Sequence, residues 1–336
     1  MGEDRAYDPL PLRFLEGDSA LGQTRDAWER LAETLPGYGP FLGPDWAEIW
    51  WRHFGAGSTL TVGELGDGAA LLPLYRTEGG VVSFVGGSEV TDYVGVVGPF
   101  EVHAPAGEAL VDRLAADDDW RELHAVAVPA ESGFTAAAAL AAVRHGFDVT
   151  FEVEDSAILR LPGTFGAYLD MVGKKERHEI RRKERRLARE LGDLELEADR
   201  EWATAVEGFV AMHRLSRGDK GDFMDDVMAA FFRDAAERFG ALGCLRLDTL
   251  RAGGRPVAST VGFADAHGYY LYNSAFEPAV ATLSPGNVLL ARLIGREIDA
   301  GRPVFDFLRG DERYKFRLGA RRRPLRRLTV RRRVAR

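Results

Sequence analysis

Cysteine is almost absent. Cys244 stands alone in 336 residues, so no disulfide can form within the chain and a cysteine-built zinc cluster is excluded. The seven histidines (His53, His103, His124, His145, His178, His213 and His267) are scattered without metal-ligand spacing, and no metal is expected. His213, flanked by Val210 and Met212, reads as a packed side chain before it reads as a base. Long apolar runs are missing too. The longest, FTAAAALAAV (134–143), is too short and too rich in alanine to cross a bilayer, and the acidic MGEDRAYD start is unlike a signal peptide. A soluble, cytoplasmic protein is expected. There is no Gly-x-Ser-x-Gly elbow, no Walker loop and no Gly-x-Gly-x-x-Gly opening a helix.

What remains is globular: 46% of residues are hydrophobic and 29% charged, and the length favours two domains. The net charge of −8 conceals a split. Residues 1–155 hold 9 Lys/Arg against 27 Asp/Glu, and residues 156–336 hold 35 against 25. An acidic half joined to a basic half points either to two domains that attract each other or to an anionic ligand for the second.

Periodicity gives the same division. In the first half, LRFL (12–15) reads as a strand. TRDAWERLAETL (24–35) reads as a helix with Thr24 as N-cap, and GPDWAEIWWRHFG as a helix with Pro44 in its first turn. STLTVGEL, AALLPLYR and GVVSFVG form a three-stranded meander, then come helix, strand, helix and strand to residue 154. The second half repeats that order from AILRL (157–161), through a long helix broken near Gly173, to a closing strand at 324–333. The chain therefore reads as α/β with mixed sheets, in two domains, 1–155 and 156–336.

Five stretches could carry chemistry. In LSPGNV, Pro285 and Gly286 open a helix whose N-terminal N–H groups could hold an anion, although Ser-Pro-Gly is also an ordinary helix start. KKERHEIRRKERRLAR (174–189) packs nine Lys/Arg and three Glu around a narrow apolar stripe. It is either a polyanion-binding face or a solvated one laced by i,i+4 pairs. The tail from Arg317 carries ten Arg and no acid and reads best as an edge strand with a frayed end. In TDYVGVVGP, Asp92 and Tyr93 follow a strand and a Gly-Gly-Ser turn, where Asp92 could position a hydroxyl or amine or simply close the turn. Last, FDFLRGDERYKFRLG (305–319) ends a strand in a dense cluster of charge.

Together, the basic helix, GGRPVAS, YLYNSAFEPAVATLSPGNVLLARLI and FDFLRGDERYKFRLGARRRP resemble the BioF2-like or CelD-like acetyltransferase group of the GNAT superfamily, related to the Fem aminoacyl-transferases. FLGPDWAEIWWRHFG and TDYVGVVG resemble its first half, so the likeness spans roughly residues 40–330. It implies tandem GNAT-like domains, each a twisted mixed sheet flanked by helices, and acyl transfer to a small-molecule amine acceptor. The donor would be acyl-CoA as co-substrate or, as in the Fem relatives, an aminoacyl-tRNA touching helix 174–189. LSPGNV departs from the group's (Gln/Arg)-x-x-Gly-x-(Gly/Ala) loop, which leaves the donor open and also admits a non-catalytic binding protein. The resemblance places FDFL where the sheet splays. Asp311 is then the expected base or amine-orienting carboxylate and Tyr314 the acid, with Arg309 and Lys315 holding an anionic substrate. Asp92, Tyr93 and Tyr272 would contact substrate, and Ser284, Gly286 and Asn287 the donor. The residues alone equally allow Asp311 to cap a short helix and to pair with Lys315.

Overall fold

The computed structural model describes residues 10–199, 201–216 and 222–333. It divides into two compact units, Met1–Glu154 with Pro324–Arg336, and Asp155–Arg323. Each is a mixed sheet flanked by helices. Among the described residues no helix is long and apolar enough to cross a membrane.

The first unit runs β1 (Leu12–Glu16), α1 (Ser19–Ala32), α2 (Pro44–Phe54), β2 (Ser58–Leu65), β3 (Ala70–Thr77), β4 (Val81–Phe84), α3 (His103–Ala115), β5 (Glu122–Pro129), α4 (Phe134–Arg144) and the start of β6 (Asp148–Arg160). Helix α1 begins earlier than its sequence suggests. Asp18 occupies the N-cap position, and Thr24 lies buried inside the helix with its hydroxyl donating to the Ala20 carbonyl at 2.8 Å. A threonine whose Oγ1 bonds back one turn is no cap. β1 to β4 form an antiparallel meander, and β4 pairs with β5 in parallel. Phe84, Leu110, Trp120, Phe134 and Ala138 form the core beneath α3 and α4.

The basic tail belongs here. From Leu325 to Arg331, β12 (Arg321–Arg331) pairs antiparallel with β5, and the strand order continues from β12 to β6. The tail is thus an interior strand, where the sequence suggested an edge. Its arginines meet the unit's acids: Arg327 with Glu154, Arg331 with Glu122, Arg332 with Asp118 and Arg333 with Asp148. Part of the charge split is therefore neutralised by a strand that returns to the acidic half.

The second unit starts inside β6. The separate strands expected at 148–154 and 157–161 are one strand, and the break between units falls within it. Then follow α5 (Phe165–Met171), α6 (Gly173–Leu191), β7 (Leu194–Asp199), α7 (Trp202–Arg214), α8 (Asp226–Ala241), β8 (Leu245–Ala252), β9 (Arg255–Ala264), β10 (Tyr269–Phe276), α9 (Pro285–Asp299), β11 (Val304–Arg309) and α10 (Arg313–Arg317). Gly173 separates α5 from α6 at φ +83°, a conformation that L side chains rarely adopt. The sheet order is β7-β8-β9-β10-β11-β6. β9 is buried from Val257 onward because helices cover both faces, as its run of small and β-branched residues requires. Leu289, Leu293 and Ile294 of α9 pack with Tyr269 and Phe305 in one cluster, while Phe232 and Phe239 of α8 meet Tyr272 and Phe263.

Candidate active site

β10 and β11 run parallel but stay together only briefly. The register joins Tyr269 with Phe305 and Tyr270 with Asp306, after which β10 continues to Phe276 and β11 to Arg309. An irregularity in each strand opens this V. In β10, Leu271 faces Gly262 and Asn273 faces Val261, so Tyr272 is an extra, bulged residue. Its ring packs against Phe232 at 5.5 Å and Phe263 at 5.8 Å. Gly262 is required at this crossing, since a Cβ there would lie 2.7 Å from the Tyr269 hydroxyl and 2.8 Å from the Tyr270 carbonyl.

In β11, Phe307 and Leu308 together oppose Ala157, and Leu308 sits at φ +59°. A left-handed leucine costs about 1–2 kcal/mol. Asp306 offsets this: its side chain is 0% exposed and accepts the Leu308 N–H at 2.8 Å. An aspartate bonding the backbone two residues on makes a turn of its own.

The charged turn follows. Gly310 (φ +112°) leads to Asp311, Glu312 and α10. The N-cap position belongs to Glu312, where the sequence allowed Asp311, and Asp311 is exposed. Lys315 points inward. It is 3% exposed, and its Nζ donates to the Arg309 carbonyl at 2.6 Å, reaches the Leu308 and Gly310 carbonyls at 3.4 Å, and pairs with Glu312 at 2.9 Å. Its charge is spent on the turn. Tyr314 stands edge-on to Phe307 at 6.4 Å. Burial, then the Glu312 charge, pushes its hydroxyl well above the ordinary tyrosine value, so the phenol keeps its proton at neutral pH. Arg309, Asp311, Tyr314 and Lys315 thus gather at one strand end.

Helix α9 opens on Ser284, in the left-handed region at φ +58°, and Pro285. Pro285 has no N–H, and those of Asn287 and Val288 both turn back to the Ser284 carbonyl at 3.1 and 3.3 Å. In the first turn, that leaves the Gly286 N–H to offer an anion. This is a thin cradle compared with a helix start that presents several N–H groups.

Helix α6 packs against α9 and the short turn of helix at Pro278–Leu283. Its outward face carries Lys174, Lys175, His178, Arg181, Arg182, Arg185 and Arg189, all exposed. Arg182 pairs with Glu179 and Arg189 with Glu190, while among the described residues Lys174, Lys175 and Arg181 have no ion-pair partner. A 1.5 Å rise per residue stretches this stripe over about 22 Å.

Asp92 and Tyr93 lie in the first unit. Tyr93 is 0% exposed and packs edge-on against Tyr38 at 5.3 Å and Phe41 at 6.0 Å. Sequence reasoning missed a buried ionic network in the second unit. Asp248 on β8 takes both Arg296 and the Tyr269 hydroxyl (3.1 Å), and Glu297 takes Arg296 (2.7 Å) and Arg302 (2.5 Å). Burial works against the Arg296 charge, but its bonds to Asp248 outweigh that and hold its pKa above the usual value. The signal was Arg-Glu in the apolar repeat of α9, where a charged pair must find partners. Among the described residues no three His, Cys, Asp or Glu are placed to hold a metal ion.

Residues 174–316 match the acetyltransferase (GNAT) domain family. FemX is 11% identical with a TM-score of 0.60, over 91% of this chain and 95% of that one. A tandem GNAT protein from the clavulanic acid biosynthesis pathway is 15% identical with a TM-score of 0.50, over 95% and 97%. A conserved protein of unknown function from Bacteroides thetaiotaomicron is 11% identical with a TM-score of 0.63, over 95% and 100%. At such identities the likeness is one of fold, the mixed α/β fold of GNAT and Fem-type proteins. No curated protein matches the sequence.

Proposed function

We propose that this chain is an N-acyltransferase that moves an acyl group from a thioester or ester donor, such as acyl-CoA, to a small-molecule amine in the cytoplasm. The observation that carries the reading is the V between β10 and β11. Two parallel strands that part after two residue pairs present facing backbone edges, to which an extended donor bearing amide groups can bond as an added strand. The reacting carbonyl would then lie near the end of β11. Asp311, exposed there, takes the ammonium proton so that the amine lone pair can attack. The backbone of the splayed edges is the nearest source of N–H donors for the tetrahedral oxyanion. Tyr314, kept protonated by burial, returns a proton to the leaving thiolate or alkoxide. Arg309 faces the substrate, Lys315 holds the turn, and Tyr272, Ser284, Gly286 and Asn287 border the donor.

A second reading takes aminoacyl-tRNA as donor. It is favoured by the outward basic stripe of α6 beside α9, together with the thin anion cradle at Gly286. A phosphate backbone would follow the stripe, and binding would weaken steeply with salt.

The test is release of free thiol from an acyl-CoA panel with amine acceptors, run beside transfer from charged tRNA. Asp311→Ala should lower turnover about 100-fold or more at unchanged melting temperature. Turnover with charged tRNA alone selects the second reading. No turnover with any donor would leave a GNAT-like binding protein and remove the enzyme reading.

A further inference from the structure

The first unit repeats the device of the second, independently of the transfer reading. β4 and β5 are parallel and paired from Val81 with Glu122 to Ser83 with His124, after which β4 ends at Phe84 and β5 runs on to Pro129 with β12 at its side. β5 also bulges: Arg326 faces Val128 and Leu328 faces Ala125, and Ala127 stands at φ +59°, as Leu308 does in β11. Where the strands part lies a cavity of about 140 Å³, bordered by Tyr75, Ser83, His124, Arg327, Val94 and Val126. That is well under the roughly 300 Å³ at which pockets for larger ligands begin.

Its polar wall joins one cation, Arg327, to hydroxyl and imidazole groups that both donate and accept. The Tyr75 and Ser83 side chains both border the cavity, and burial raises the Tyr75 pKa, so the phenol stays protonated. Each hydroxyl carries one O–H that can donate to an acceptor and lone pairs that can accept. Arg327 gives Nε (2.7 Å) and Nη2 to Glu154, and among the described residues its Nη1 has no partner. His124 Nε2 meets Glu122 Oε2 at 2.6 Å, which leaves Nδ1 on the other side of the ring. Among the described residues no aspartate or glutamate is in the lining itself, although Arg327 also lies 3.7 Å from Glu152, and Ser88 adds a further hydroxyl to a surface that is polar for the most part.

From these groups we infer that the first unit binds a short monocarboxylate. The carboxylate accepts from Arg327 Nη1 and from a hydroxyl of Tyr75 or Ser83, and a short aliphatic tail lies against Val94 and Val126. A guanidinium edge with a second donor at its side suits an acceptor-only, planar anion. A neutral amide lacks the charge that the guanidinium complements, and an ammonium would face Arg327.

The experiment is titration of the full chain with butyrate, butyramide and butylammonium, followed by amide shifts in NMR. Butyrate should bind, moving the Ser83, Val94 and Val126 amides, and butyramide and butylammonium should bind at least tenfold more weakly. Tyr75→Phe and Arg327→Gln should each weaken butyrate about tenfold. Ser83→Ala is the milder companion should Arg327→Gln upset the pairing with Glu154. Equal binding of butyrate and butyramide, shifts confined to other surfaces, or butyrate affinity unchanged in the folded variants would overturn the inference.

Discussion

Lys315→Met separates two roles for one lysine. If the ammonium faced an anionic substrate, its loss would weaken binding and leave the fold alone. The structure turns it inward, so the loss should fall on the turn that ends β11. The 2.6 Å bond to the Arg309 carbonyl is a short bond from a charged donor, worth about 1.5–3 kcal/mol. The two 3.4 Å approaches are at the edge of hydrogen-bond length and add little. Glu312 is 55% exposed, and its ion pair contributes about 0–1 kcal/mol. The sum is about 1.5–4 kcal/mol, or roughly a 10- to 700-fold rise in local opening at a factor of ten per 1.4 kcal/mol. Native-state hydrogen exchange over residues 305–319 reads this directly. Glu312→Gln, which spares the carbonyl bond, should change exchange by less than about fivefold. Exchange in Lys315→Met within threefold of the parent, with a lower affinity for an anionic substrate, would refute the inward role.

Arg296→Met leaves Asp248 buried without its cation and should cost the second unit about 3–5 kcal/mol in chemical denaturation. His103 lies buried, with Nε2–H donating to the Gly98 carbonyl and Nδ1 accepting from Ser132, both at 2.8 Å, and burial lowers its pKa below 6.5. A histidine held neutral in the fold stabilises fully above pH 6.5 and loses that contribution as pH falls below it. Melting of the first unit should therefore fall from pH 7.5 to 5.5, and His103→Gln should flatten that slope. Gly262→Ala forces a methyl against the Tyr269 hydroxyl and should cost about 1–3 kcal/mol by urea unfolding. If α6 binds tRNA, Lys174→Ala with Arg181→Ala should lower the slope of log affinity against log salt by about 1.4–1.8 in filter binding, at about 0.7–0.9 per phosphate contact.

Local pattern carried most of the architecture. STLTVGEL reads as a strand and is β2 residue for residue, and Gly173 breaks the long helix where its lack of a side chain permits. The family likeness, and the splay at FDFL that it implied, came from the order of several stretches. What escaped depends on distant partners. β12 is interior because β5 and β6 flank it, and nothing local in PLRRLTVRRR states that. The boundary read between Asp155 and Ser156 falls inside a continuous strand, because both residues sit within β6. The inward turn of Lys315 follows from the left-handed Leu308, which brings three carbonyls toward one point. Asp306 two residues before it was a legible sign of that turn. Tyr272 and Tyr93 are aromatic and near the right motifs, but pattern cannot show that both rings are packed among other rings.

The returning strand has a consequence for biosynthesis. The second unit is one uninterrupted segment, Asp155–Arg323, whereas the first is completed by residues beyond 323. On a ribosome adding about 5–20 residues per second, the first half waits on the order of 10–30 s for its last strand. A hairpin forms in about 1–10 μs. Until then β5 presents a bare edge, open to pairing with other nascent chains. The domain made first is the domain finished last, and a nick or truncation at the far carboxyl end strikes the amino-terminal half.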